Sequence, residues 1–215
     1  MTKHKTPTVY SPEEELFNAI THAFGIVGGL VGLVFLLLQK GLNQAVFGSS
    51  IVFLFSVLIL YSSSTLYHAV KAKKQKLLFK KVDHISIYLL IAGTFTPFTW
   101  GVLGEEPIGK NLSLAVWGVA LLGVVFKIFF TGKYEIISLL SYLGMGWLGF
   151  FMFGRISDVL GQEVVNVMLY GGGAYTIGVV FYVMRKMKYH HGIWHLFVLL
   201  GTGFHAYAIL KYIVR

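Results

Sequence analysis

Residues 16 to 38 read LFNAITHAFGIVGGLVGLVFLLL, and this stretch decides the fold. Its twenty-three residues include no Asp, Glu, Lys or Arg. About 20 mostly apolar residues carry a helix across a bilayer at a rise of about 1.5 Å each. Glu13, Glu14 and Glu15 precede the run, which is longer than the apolar core of a cleavable leader, so it is expected to remain as a first span. Six more runs of the same kind follow, at about 46–69, 83–103, 112–131, 135–154, 164–184 and 192–213. The connections are short, and no linker, low-complexity tract or internal repeat divides them. The expected fold is an all-α integral membrane protein. A short cytoplasmic segment, 1–15, leads into a seven-helix transmembrane domain, 16–215.

Composition agrees. Hydrophobic residues make up 56% of the chain and charged ones 13%, about half the share in a soluble domain. A soluble core cannot use that much apolar surface. The formal charge of +9 comes mostly from loop lysines, which suit anionic lipid headgroups better than nucleic acid. The absence of Cys excludes disulfides, thiolate ligands and thiol nucleophiles.

Loop cations orient the bundle. Lys3 and Lys5, the six lysines from Lys71 to Lys81, Lys127, Lys133, Arg185, Lys186 and Lys188 fall on one side. Only Lys40, Lys110, Arg155, Lys211 and Arg215 fall on the other. Thirteen against five predicts an N-terminus inside and a C-terminus outside, in a cell membrane. Lys127, near the inner end of span four, is expected to snorkel to the interface. Gly25, Gly28, Gly29 and Gly32 in span one, and Gly171 to Gly173 in span six, are expected at close helix contacts. Pro97 should kink span three, with Thr94 or Thr96 compensating the lost backbone bond.

The inner face then gathers chemistry. His68 ends span two, Asp83 begins span three, and His191 and His195 open span seven. Residues four apart share a helix face, so His191 and His195 can grip one ion, and Ser64 shares a face with His68. Any one of these histidines alone is more simply an interfacial residue. Three at one depth, with a carboxylate at the membrane edge, point to a metal site. Three imidazoles with an open fourth position are a usual catalytic zinc arrangement, and the lack of Cys favours Zn2+, with Fe, Co or Mn also compatible. Asp83 could be a direct ligand, but the better reading has it contact the water at the open position or orient a histidine. Ser64 would donate a hydrogen bond to that water or to a substrate carbonyl. His84 points about 100° from Asp83 and reads as packing. His22 is expected in a hydrogen-bonded structural role near the same face. His205 lies about 15 Å beyond His195, too far to share the ion. His4 and His190 read as solvated loop residues.

Several of these residues stand in an ordered set: Glu14-Glu15-Leu16-Phe17-Asn18-Ala19-Ile20-Thr21-His22, Ser64-x-x-x-His68, Lys81-Val82-Asp83-His84 through Gly93-Thr94-Phe95-Thr96-Pro97-Phe98, and His191-x-x-x-His195. The set covers nearly the whole chain. It resembles the haemolysin III family, the bacterial branch of the progestin and adipoQ receptor family within the CREST membrane-hydrolase superfamily. The resemblance implies seven spans, an inner N-terminus and zinc on His68, His191 and His195. It also implies an aspartate near the zinc-bound water at Asp83 and the motif serine at Ser64. It leaves activity open, because some relatives are receptors and hydrolysis of lipid amides is suggested for others.

Four functions follow for comparison. In the first, a zinc hydrolase cleaves a lipid amide or ester inside the membrane, with Asp83 as general base and Ser64 assisting the oxyanion. In the second, a non-enzymatic receptor-like or membrane-homeostasis protein uses zinc structurally and responds to a lipid ligand within the bundle. The third, a cytolysin, fits poorly with seven obligatory spans. The fourth, a retinal protein, needs a lysine in mid-span seven, and Lys211 lies at its outer end. Membrane lipids are the expected partners, and no nucleic acid is.

Overall fold

A computed structural model describes residues 10–214. The chain forms eight α-helices: α1 (Pro12–Leu38), α2 (Gln44–Ala69), α3 (Lys73–Thr96), α4 (Pro107–Phe130), α5 (Glu135–Trp147), α6 (Phe153–Leu160), α7 (Gln162–Val183) and α8 (His190–Tyr212). A short 3-10 turn, Leu148–Met152, joins α5 to α6 as one span, so seven helices are long and apolar enough to cross a membrane. Among the described residues there is no strand.

The ends are set by local chemistry. Ser11 and Glu14 form a capping box, with the Ser11 hydroxyl accepting from the Glu14 amide at 3.2 Å and the Glu14 carboxylate accepting from the Ser11 amide at 3.0 Å. Pro12 follows at the first helical position, where its missing N–H costs nothing. Asn43 caps α2 by accepting from the Val46 amide at 2.7 Å.

Two span boundaries differ most from expectation. Span three begins at Lys73, ten residues before Asp83, because the lysine-rich stretch is good helix former and simply continues the helix into the interface. Span five runs on to Leu160 rather than 154. The boundary drawn at residue 15 falls inside α1.

The bundle is apolar outside and polar within, as a bilayer demands. Phe24, Val27, Val31, Leu114, Leu121 and Leu122 face outward, while Asn18, His22, Ser64, His68, Asp83 and His195 are buried. A soluble protein rarely tolerates so large an apolar surface. The spans close into a ring: α1 packs on α2 and α8, α2 on α3, α3 on α4, and α7 on α8, while α5 touches α3, α4 and α7.

Close approach of α1 to α2 rests on missing side chains. A Cβ at Gly25 would stand 2.3 Å from the Tyr61 ring, and one at Gly32 would stand 2.9 Å from Leu54. Gly28 and Gly173 instead face open space, so those two lie outside the contacts expected of them. Polar links tie the ring further: the Tyr61 hydroxyl donates to Thr202 at 2.7 Å, and Ser63 and Ser86 share a hydrogen bond at 3.1 Å.

Span three is relieved differently from expectation. Thr94 and Thr96 donate to the Leu90 and Ala92 carbonyls, each at 2.8 Å, and neither reaches the Gly93 carbonyl that Pro97 leaves without its usual donor. The helix widens instead into a π turn over Pro97–Val102, closed by the Leu103 amide on the Phe98 carbonyl.

Candidate metal centre

The last turn of α2 and the first turns of α8 meet α1 at the face bearing the N-terminus. His68 is the penultimate residue of α2, and His191 and His195 occupy successive turns of α8. Their rings stand 5.0 Å (His68–His191), 5.2 Å (His68–His195) and 4.5 Å (His191–His195) apart between centroids. All three are buried, and each offers a ring nitrogen within 4.8 Å of the other two. The three can hold a metal ion.

The hydrogen bonds around the cluster decide which nitrogens face it. His68 donates from Nδ1 to Glu15 Oε2 at 2.6 Å, and the other Glu15 oxygen pairs with Lys76 Nζ at 2.8 Å. His195 directs Nδ1 at the Asn18 carbonyl, 3.1 Å away, and at Thr21 Oγ1, 3.2 Å away. The Thr21 hydroxyl spends its own proton on the Phe17 or Asn18 carbonyl, so it accepts from the imidazole. In both rings a proton on Nδ1 leaves the Nε2 lone pair free. His68 Nε2, His195 Nε2 and both nitrogens of His191 have no partner in the protein. Buried polar atoms are nearly always satisfied. Three orphaned nitrogens converging on one point, two with their tautomer fixed from behind, fit an imidazole-bound transition metal.

Two acidic residues read from sequence as a mere flank thus organise the site. Glu15 orients His68. Glu14 accepts from the Tyr189 amide at 3.0 Å, pinning the start of α8 where Tyr189 takes a left-handed conformation (φ 57°). Glu15, Asn18 and His22 follow one another at helical spacing, and that periodicity was the available signal that one face of α1 serves the cluster. Tyr10 covers it from outside, stacked on His191 with ring centroids 5.1 Å apart.

The other histidines fall differently from expectation in two cases. His22 forms no hydrogen bond; it stacks on His195, centroids 3.4 Å apart and planes 16° from parallel, and lines the central cavity. His190 is the first residue of α8 and buried, because Tyr189 turns the chain inward before it. His205 lines the same cavity beside Tyr175, away from the cluster. His4 lies outside the described residues.

Asp83 is buried one helix away, on the cavity wall, and is not among the groups that converge with the three histidines. Ser64 is a polar neighbour of Asp83, although its hydroxyl lacks a hydrogen bond of ordinary geometry. From His22 and Asp83 the cavity extends between α3, α5, α7 and α8 along apolar walls, including Ile87, Phe95, Leu143, Met168 and Val198. Its empty space is about 1170 Å³, part of it open to the outside.

The model of the haemolysin-III-related family matches residues 10–206, a range that contains the whole cluster. The chain belongs to that family. Among curated members it is 38% identical to the hemolysin-3 homolog of Bacillus subtilis (strain 168) over 209 residues, covering 96% of this chain and 98% of that one. Hemolysin-3 of Bacillus cereus is 36% identical over 217 residues, covering 100% and 98%. The human monocyte to macrophage differentiation factor is 31% identical over 221 residues, covering 97% and 87%. The match runs nearly end to end, so the haemolysin III bundle and its multi-pass membrane location apply to the whole chain.

Proposed function

We propose that this haemolysin III family member is an intramembrane zinc hydrolase that cleaves an amide or ester bond of a membrane lipid. The observation that carries the reading is the set of three orphaned, buried ring nitrogens, one of whose rings (His195) stacks on His22, a residue that lines an apolar cavity. His68, His191 and His195 would hold the ion. Bound there, Zn2+ would supply Lewis acidity toward a carbonyl and make water a nucleophile near neutral pH. A structural zinc usually takes four protein ligands. Only three groups converge among the described residues, which supports an open position rather than a purely structural ion.

The chain's own residues cover the remaining tasks. Asp83, buried on the cavity wall, would take a proton from the attacking water. Ser64, beside it with an unpaired hydroxyl, can donate to the oxygen on which charge develops. The apolar walls exclude bulk water and suit an acyl chain, which supports a lipid over a soluble substrate. The test is release of free fatty acid from a panel of lipid amides and esters by purified, zinc-loaded protein, with His191→Ala and Asp83→Asn alongside. Turnover by the wild type and loss in both variants is the expected result. Zinc-loaded protein inert on every class would favour the receptor-like reading.

A further inference from the structure

A second unsatisfied cluster lies on the same face of the bundle, beside the metal centre. Lys127, in the last turn of α4, is 2% exposed, and the expectation that it snorkels to the interface is not met. It is enclosed, with Nζ 6.0 Å from the centre of the Tyr142 ring on α5. Lys80 and His84 share a face of α3, one turn apart, and both lysines act electrostatically on His84. Tyr142 closes the group by donating from its hydroxyl to the His84 carbonyl at 2.9 Å. Among the described residues neither Lys127 nor Lys80 forms an ion pair or a side-chain hydrogen bond, and His84 Nδ1 is buried without a partner.

The neighbouring carboxylates do not neutralise this charge. Glu135 attracts Lys127 from a distance, but it is engaged by Arg185 in an ion pair. Asp83, three residues from Lys80, interacts with it electrostatically, but no ion pair joins the two, and its side chain also lines the cavity. An enclosed ammonium without a counter-charge is costly, and at a membrane edge such groups mark a binding function. The missing partner must be an anion that reaches two ammonium groups and an imidazole N–H at once. A phosphate does this, since several oxygens spread around one centre can each accept. Basic pockets between helix ends at headgroup depth are a recurrent way of holding anionic phospholipids.

We propose that Lys80, His84 and Lys127 form a phosphate-binding site between α3, α4 and α5, filled by the headgroup of an anionic phospholipid in the leaflet on the N-terminal face. The site is independent of the metal and of the hydrolase reading. Native mass spectrometry of the intact protein in detergent, titrated with phosphatidylglycerol, phosphatidylcholine or inorganic phosphate, tests it. Phosphatidylglycerol should bind in preference to phosphatidylcholine. Lys127→Gln should weaken it at least about tenfold, against no more than about fivefold for Lys73→Gln, which removes one diffuse surface charge. Lys80→Gln, at a less enclosed position, supplies the same reading if Lys127→Gln does not fold. Binding of inorganic phosphate at these residues without phosphatidylglycerol would name free phosphate as the source. Equal losses for Lys73→Gln and Lys127→Gln, or no preference for phosphatidylglycerol, would overturn the site.

Discussion

Glu15→Ala should weaken metal binding without touching a ligand. The carboxylate accepts from His68 Nδ1 at 2.6 Å and is only 20% exposed, so this is a charge-assisted hydrogen bond in a largely dry setting. Such bonds contribute about 1.5–3 kcal/mol, and each 1.4 kcal/mol is a factor of ten in an equilibrium constant. Removal therefore lowers zinc affinity roughly 10- to 100-fold, the range found for partners that stand behind metal-bound histidines. Two changes combine: His68 loses the acceptor that fixes its tautomer, and Lys76, still bonded to the Tyr67 carbonyl, loses the carboxylate 2.8 Å away that balances its charge. Glu15→Gln should cost less, because an amide oxygen still accepts from Nδ1 while the charge is gone. The assay is competition with a chelator of known affinity on detergent-purified protein, comparing wild type, both variants and Glu13→Gln as a control. Unchanged affinity in Glu15→Ala would refute the claim that Glu15 holds His68 in its binding tautomer.

Asp83→Asn should keep most of the zinc and lower hydrolysis about 10²–10⁴-fold, the usual loss for a general base, in parallel metal analysis and fatty-acid release. Loss of the metal in this variant would instead make Asp83 a ligand. Gly25→Ala should destabilise the bundle by about 1–3 kcal/mol, because its Cβ would stand 2.3 Å from the buried Tyr61 ring, whereas Gly28→Ala meets nothing within 4 Å and should unfold like wild type in a detergent melt. Reporter fusions to the C-terminus should be active outside the cytoplasm, from the thirteen-to-five cation asymmetry. Activity confined to the cytoplasm would invert the assigned orientation.

Span count and family were legible because a bilayer leaves few options. Seven apolar runs can only be helices, since every backbone group must be satisfied within its own segment. The convergence of His68, His191 and His195 was legible for a related reason: alternating span direction fixes which loop ends share a face. What lay out of reach was rotation about each helix axis. Lys127 is inside rather than snorkelling because α4 turns that face toward Tyr142, which no spacing argument reveals. His22 stacks on His195 through the packing of α1 against α8, and Glu15 reaches His68 through the packing of α1 against α2. Pro97 shows the limit from another side. The need for relief was plain, but a π turn and a threonine hydrogen bond are alternative solutions that sequence does not separate.

The metal content of purified protein tests the central claim most directly. Elemental analysis of wild type should give one zinc per chain, and protein with His68, His191 and His195 all replaced by alanine should give none while remaining in the membrane as a seven-span chain. The wild type should also melt higher than the metal-stripped protein, since an ion linking α2 to α8 adds its binding free energy to folding. Full zinc content in the triple variant, or a wild type free of metal after purification without chelators in zinc-supplemented medium, would contradict a metal centre built on these three side chains.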